Sequence, residues 1–351
     1  MRSITIAAIT IAASGIFFAG SGGAATFRVP SVYADINAAF AAAGEGDTVL
    51  VAPGTYTGAG NRNIDFGGIN RVVMSEAGAV STIIDCEGMD IGFGLYTGED
   101  STSVIHGFTI TNADGGNGGG IGIYEAAATI EDCIFANNYG NNGGGIYCGY
   151  CPTRTYITNC VFYGNSANWR GGGIECDHGY GENVPPVISG CVFYDNVAGI
   201  GGDFGGGAIF TNYSAALVTG CTIVANAGGP GAGGLQSESF QMIVSNCIIS
   251  DNTGAAGVSN VNIDRCLLWN NEGTDDFSPA EPEIIEADAL LCNLAGRDLT
   301  LCSDSICLPG APNNPWGEQI GALGAGCGDC GLGTEKSSWG SIKQRIGKQS
   351  R

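Results

Sequence analysis

Basic residues are scarce: 13 lysines and arginines and 2 histidines serve a chain of 351 residues. Against 34 aspartates and glutamates they leave a formal net charge of −21, so the attraction that phosphate backbones and anionic lipid surfaces require is missing. No nucleic-acid partner is expected. Beyond residue 25 no apolar run is long enough to span a bilayer, so the mature chain is expected to have no membrane span and to be a soluble monomer. Glycine and cysteine, in contrast, are plentiful at 61 and 15, alongside 44% hydrophobic residues. The glycines keep no three-residue period, which excludes collagen, and Gly-rich disorder would lack so much apolar content. A turn-dense β architecture with many short buried strands remains.

The N-terminus carries a basic residue, Arg2, an apolar stretch from Ile4 to Phe18, and small residues from Ala19 to Ala25. This is the pattern of a cleaved export signal over residues 1–25. An uncleaved anchor is the alternative, and the short charged start and small-residue end favour the signal. The protein is therefore expected to be secreted or held at the cell surface. The acidic body suits solubility outside the cell, and also suits cation binding.

Internal repeats decide the fold. Ile130-Glu131-Asp132-Cys133-Ile134-Phe135-Ala136-Asn137-Asn138 aligns with Ile157 to Asn165 and Ile188 to Asn196, and further copies follow. Their cysteines are Cys133, Cys160, Cys191, Cys221, Cys247 and Cys266, at intervals of 19 to 31 residues. Two residues after each cysteine stands Phe, Ile or Leu, and five after it stands Asn: Asn138, Asn165, Asn196, Asn226, Asn252 and Asn271. Glycine triplets followed by Ile interleave with these segments at Gly118–Gly120, Gly143–Gly145, Gly171–Gly173 and Gly205–Gly207, with Ala208 before the Ile in the last. A weaker copy ends in Gly233-Gly234-Leu235.

Each coil thus holds at least two short strands, with room for a third. Stacking coils at about 4.8 Å superposes equivalent residues. Alternation turns Cys133 and Phe135 inward, so thiols and aromatics form ladders in a thin core. The Asn is expected to occupy left-handed corners and to hydrogen-bond the Asn of the next coil. Glycine permits bends that a Cβ would obstruct. The handedness of parallel crossovers makes the winding right-handed. The expected fold is therefore all-β, a single right-handed parallel β-helix over residues 26–326. A helix over Tyr33–Ala43 caps its N-terminal end, with Ile36 and Phe40 on one face. Gly46 to Tyr56 then makes the strand and turn of the first coil. Ala287–Gly326 is expected to complete and cap the last coils, with Ile320–Gly324 as the final strand. Residues 327–351 read as a Gly/Cys linker and basic tail.

The Gly-Asp-Thr-Val opening (Gly46–Val49), the Pro-Gly-Thr-Tyr turn (Pro53–Tyr56) and the Cys and glycine-triplet coils resemble the pectin-lyase-like superfamily. More narrowly they are similar to secreted bacterial β-helix proteins and to polymorphic outer-membrane protein repeats. The resemblance covers roughly residues 30–325 and rests on core and corner positions, so it speaks to fold rather than function. Enzymes of that fold cleave acidic polysaccharides. Their lyases hold calcium on aspartates beside an Arg or Lys base, and their hydrolases carry Gly-His-Gly and Arg-x-Lys. None of these motifs is present here.

Most ladder cysteines are expected to be reduced, because stacked Cβ vectors run parallel. A cross-coil disulfide Cys148–Cys176 competes with a local Cys148–Cys151 bridge. Cys292, Cys302, Cys307, Cys327 and Cys330 offer two bridges and one leftover. Two Cys-x-x-Cys pairs match a zinc pattern, but in an exported protein disulfides are favoured and no metal is expected there.

One polar cluster stands out: Trp169, Arg170, Glu175, Asp177 and His178, bracketing a glycine triplet. It offers an aromatic for sugar stacking, carboxylates for hydroxyls or Ca2+, and an imidazole. The same residues would also suit a solvated loop. Two functions stay open: a noncatalytic surface protein for adhesion or contact with a polysaccharide or cell-surface glycan, and a lyase or hydrolase acting on acidic polysaccharide. The missing motifs favour the first.

Overall fold

The computed structural model describes residues 24–178, 184–202, 205–278, 283–328 and 330. Nearly all of the stretch expected to be an export signal, and the basic tail beyond Cys330, lie outside them. The chain winds as a right-handed parallel β-solenoid of about 11 turns. Three sheets run along it. The first has 11 strands, from Thr26–Val29 to Phe277–Ser278; the second has 10, from Gly54–Tyr56 to Ile284–Ile285; the third has 8, from Ile64–Asp65 to Ala256–Ser259. Register passes residue for residue between coils, so Ile130 lies between Ile105 and Ile157, and Phe162 between Phe135 and Phe193.

One coil shows why the repeat reads as it does. Thr129–Glu131 lies on the first face, Ile134–Ala136 on the second and Ile146–Gly149 on the third. Between the first two faces Asp132 is left-handed (φ 52°), and after the second Asn137 is left-handed (φ 56°). The left-handed residue is thus the one before the ladder Asn, not the ladder Asn itself as the sequence suggested. Gly164, Asp195, Ala225, Asp251 and Asn270 fill that place in later coils. The corner frees the next side chain to point inward. Asn138, Asn165, Asn196, Asn226 and Asn252 are accordingly fully buried. Each Nδ2 donates to the Oδ1 of the next Asn at 2.9–3.1 Å. Each also donates to a backbone carbonyl of the coil before. Satisfying every buried amide this way converts a costly group into a register pin.

Beside this ladder Phe135, Phe162 and Phe193 stack at 4.7 Å between centroids, nearly parallel. The six ladder cysteines are buried and unpaired. Burial pushes the thiols of Cys160 and Cys221 well up, and that of Cys86 to about 12. Two consequences follow for solution behaviour. Thiol reagents should label none of the ladder cysteines in the folded chain and all of them in denaturant, read by mass spectrometry. Since an unfolded thiol ionises near pH ~8.5 while the buried thiols of Cys86, Cys160 and Cys221 stay protonated, their contribution to stability is intact below that pH and is lost as pH rises above it.

The N-terminal helix forms as expected but shorter, over Ile36–Ala42, with the Asp35 side chain accepting from the Ala38 amide at 2.7 Å. Phe40 meets Phe66 edge-on at 5.1 Å and closes the core. The strand Thr26–Val29, ahead of the helix, pairs with Thr48–Val51 and was not anticipated. The C-terminal end departs further from expectation. Ile320–Gly324 is not a strand, and Ala287–Gly326 does not extend the coils. Leu291–Asn293, Asp298–Cys302 and Ala325–Cys327 form a small separate sheet. This lap folds back along the outside of the second face, where Leu299, Leu301, Cys307 and Ile320 share a cluster with Val192, Val224, Ile248 and Leu267. The Gly321 amide donates to the Asn246 carbonyl at 2.8 Å, and Arg297 pairs with Asp195 at 2.6 Å. The outer side chains of the second face are apolar in these coils, and that is what draws the lap there.

Candidate functional site

On the third face Ile121, Ile146, Ile174 and Ile209 point into the core, so Gly122, Tyr147, Glu175 and Phe210, one position on, point outward. The glycine triplets set this face up. Gly171 is left-handed (φ 62°), and a Cβ on Gly172 would lie 2.5 Å from the Gly207 carbonyl, so only glycine lets neighbouring coils come this close.

Although outward-facing, Tyr147, Glu175 and Phe210 are covered. The Arg170 guanidinium lies 5.1 Å from the centre of the Phe210 ring and 3.8 Å from the Glu238 carboxylate. Glu175 is 1% exposed, and burial holds its carboxyl well above the usual carboxylate range. Arg170 pulls it back, while Asp177 and Glu238 push it further up. A neutral acid is thereby favoured over a carboxylate that would bind a cation. His178 is buried, and burial lowers its pKa against the opposing pull of the Cys151 and Val184 backbone and of Asp177.

The structure therefore gathers Arg170, Glu175 and Asp177 on one surface. It buries His178 by Cys151 and Val184, and leaves Trp169 42% exposed. Cys148 and Cys176 are register partners, as their spacing implied, yet both sulfurs are free.

Sequence reasoning missed a row of tyrosines beside this cluster. Tyr96, Tyr124 and Tyr150, from three successive coils at the ends of third-face strands, are 42%, 41% and 45% exposed. The Tyr124 and Tyr150 rings are 5.4 Å apart. The Tyr96 ring lies across the outer surface at Gly122, where a Cβ would come within 2.7 Å of its hydroxyl. The signal was available: a tyrosine closes or follows the glycine-containing strand in each of these coils. Elsewhere, a recess of about 400 Å³ at the capped end is lined by Asn37, Phe40, Asp65 and Arg71. Its Arg71 guanidinium packs 5.2 Å from the Phe40 ring centre and serves the cap.

Among the described residues no helix is long and apolar enough to cross a membrane. Residues 67–233 match the family model described as the right handed beta helix region, consistent with the pectin-lyase-like resemblance of the repeats. No curated protein and no solved structure matches the chain.

Proposed function

We propose, with a right-handed parallel β-helix as the premise, that this protein is an exported, noncatalytic rod that binds an extended carbohydrate along its third face. The tyrosine row carries the reading. Tyr96, Tyr124 and Tyr150 come from three successive coils, each about two-fifths exposed, Tyr150 standing one residue beyond the register partner of Tyr124, and the coils rise by about 4.8 Å, close to the length of one sugar unit. Tyrosine presents an apolar ring for stacking and a hydroxyl for hydrogen bonding. A net charge of −21 favours a neutral glycan over a uronate-rich one. Regular display along a stiff axis also fits adhesion at a cell surface.

Calorimetric titration with soluble neutral glucans and mannans tests the reading. Tyr124→Ala and Tyr150→Ala should each weaken binding about tenfold, near 1.4 kcal/mol, with the circular dichroism unchanged. Unaltered affinity in the double variant, or no binding to any glycan, would contradict it. Glu175 favours a second reading, polysaccharide cleavage, since a protonated acid beside Arg170 suits donation to a glycosidic oxygen. Its 1% exposure speaks against access by substrate. Release of new sugar ends that disappears in Glu175→Gln would establish cleavage.

A further inference from the structure

The C-terminal lap holds a group of side chains that carbohydrate binding leaves unused. The four sulfurs of Cys292, Cys302, Cys327 and Cys330 all lie within 4.8 Å of one another. They are joined as Cys292–Cys327 and Cys302–Cys330, while Cys327 and Cys330, from different pairs, have sulfurs 3.6 Å apart. Two bridges can staple a chain without meeting at one point. A single tetrahedral ion does require it: with metal–sulfur bonds of about 2.3 Å, its four sulfurs sit about 3.8 Å apart.

The elements suit such a site. Cys292, Cys302 and Cys327 come from the three strands of the lap sheet, and Cys330 completes a Cys-x-x-Cys spacing. The Thr300 hydroxyl lies 3.3 Å from the Cys292 sulfur and bonds the Asp298 carboxylate, which places a polar group beside that sulfur of the kind that supports a thiolate ligand. The Cys-x-x-Cys at Cys148–Cys151 lies apart from these, within the solenoid core. Cys307, buried in the apolar cluster, also stands outside the group, with burial pushing its thiol to about 12.

We propose that these four cysteines, when reduced, form a tetrathiolate site for a thiophilic divalent cation, zinc. Each disulfide accepts two electrons and two protons from a dithiol reductant, giving two thiols. Four thiols and one Zn2+ then give the tetrathiolate and release four protons. In either state the lap is closed at the same point.

Cobalt(II), titrated anaerobically into the full-length chain after dithiothreitol reduction and removal of reductant, tests this. One equivalent should bind with the intense visible bands of tetrahedral four-sulfur coordination, and one equivalent of zinc should displace it. Cys307→Ser should keep the signal; Cys327→Ser and the more exposed Cys330→Ser should each lose it while retaining the β-sheet circular dichroism. Failure of the folded, reduced chain to bind one equivalent, or an unchanged spectrum in Cys330→Ser, would overturn the proposal.

Discussion

Asn165→Ala is expected to destabilise the protein by roughly 4 kcal/mol or more, read as a lower urea midpoint. The Asn165 side chain accepts from the Asn138 amide and Nδ2, and donates to the Phe135 carbonyl and to Asn196 Oδ1. Alanine takes the acceptor away from the buried Asn138 amide and removes one of the two bonds at Asn138 Nδ2 and at Asn196 Oδ1, each lost bond costing about 1–3 kcal/mol where water cannot enter. Asn271→Ala should cost less, because that residue ends the row, is partly exposed and bonds only one ladder neighbour. Asn165→Asp adds a test of sign. A carboxylate there would face Asn196 Oδ1 and the Phe135 carbonyl, so its folded pKa would be raised above the unfolded ~3.9. This variant should be most stable below that pH and lose stability as pH rises through it. Since solenoid stability is a sum of neighbouring interfaces, hydrogen exchange should quicken first in the coils adjoining Asn165.

Gly144→Ala should reverse the usual sign of a glycine-to-alanine change. Where the backbone is compatible, such a change commonly gains about 0.4–1 kcal/mol by restricting the unfolded chain. At Gly144 an added Cβ would lie 2.5 Å from the carbonyl oxygens of both Gly172 and Ser166. Those atoms are backbone of the next coil and cannot swing aside, so the stack must part. A loss of about 3 kcal/mol is expected, at the upper end of ordinary overpacking. Gly116→Ala, where an added Cβ meets nothing within 4 Å, should stay near neutral. Equal thermal midpoints for the two variants would mean that the coils do not approach as closely as described.

The repeat was legible because stacking imposes the same demand on every layer. A position that must be small, amide-bearing or lacking a Cβ in one coil must be so in the next, so the sequence copies the constraint. The corner was misplaced by one residue for a related reason. The left-handed site accepts Asn137, Gly164, Asp195 and Ala225 alike, whereas the buried place beside it accepts only Asn, so the eye falls on the Asn. The lap was illegible because Leu299, Leu301 and Ile320 carry the apolar content of a final coil without its period. Only the apolar outer side of the second face, at Val192, Val224 and Ile248, reveals where they go. Of the candidate site, Arg170, Glu175 and Asp177 were found by local density of charge. The tyrosine row escaped because its members are 28 and 26 residues apart and each one alone resembles an ordinary surface aromatic.

The most direct measurement of the central claim is an amide NOE experiment on perdeuterated, Asn-labelled protein. Continuous stacking predicts an unbroken chain of cross-peaks linking the side-chain amides of Asn138, Asn165, Asn196, Asn226 and Asn252, with those protons protected from exchange for hours. Side-chain amides that show no mutual cross-peaks and exchange with solvent at once would contradict it.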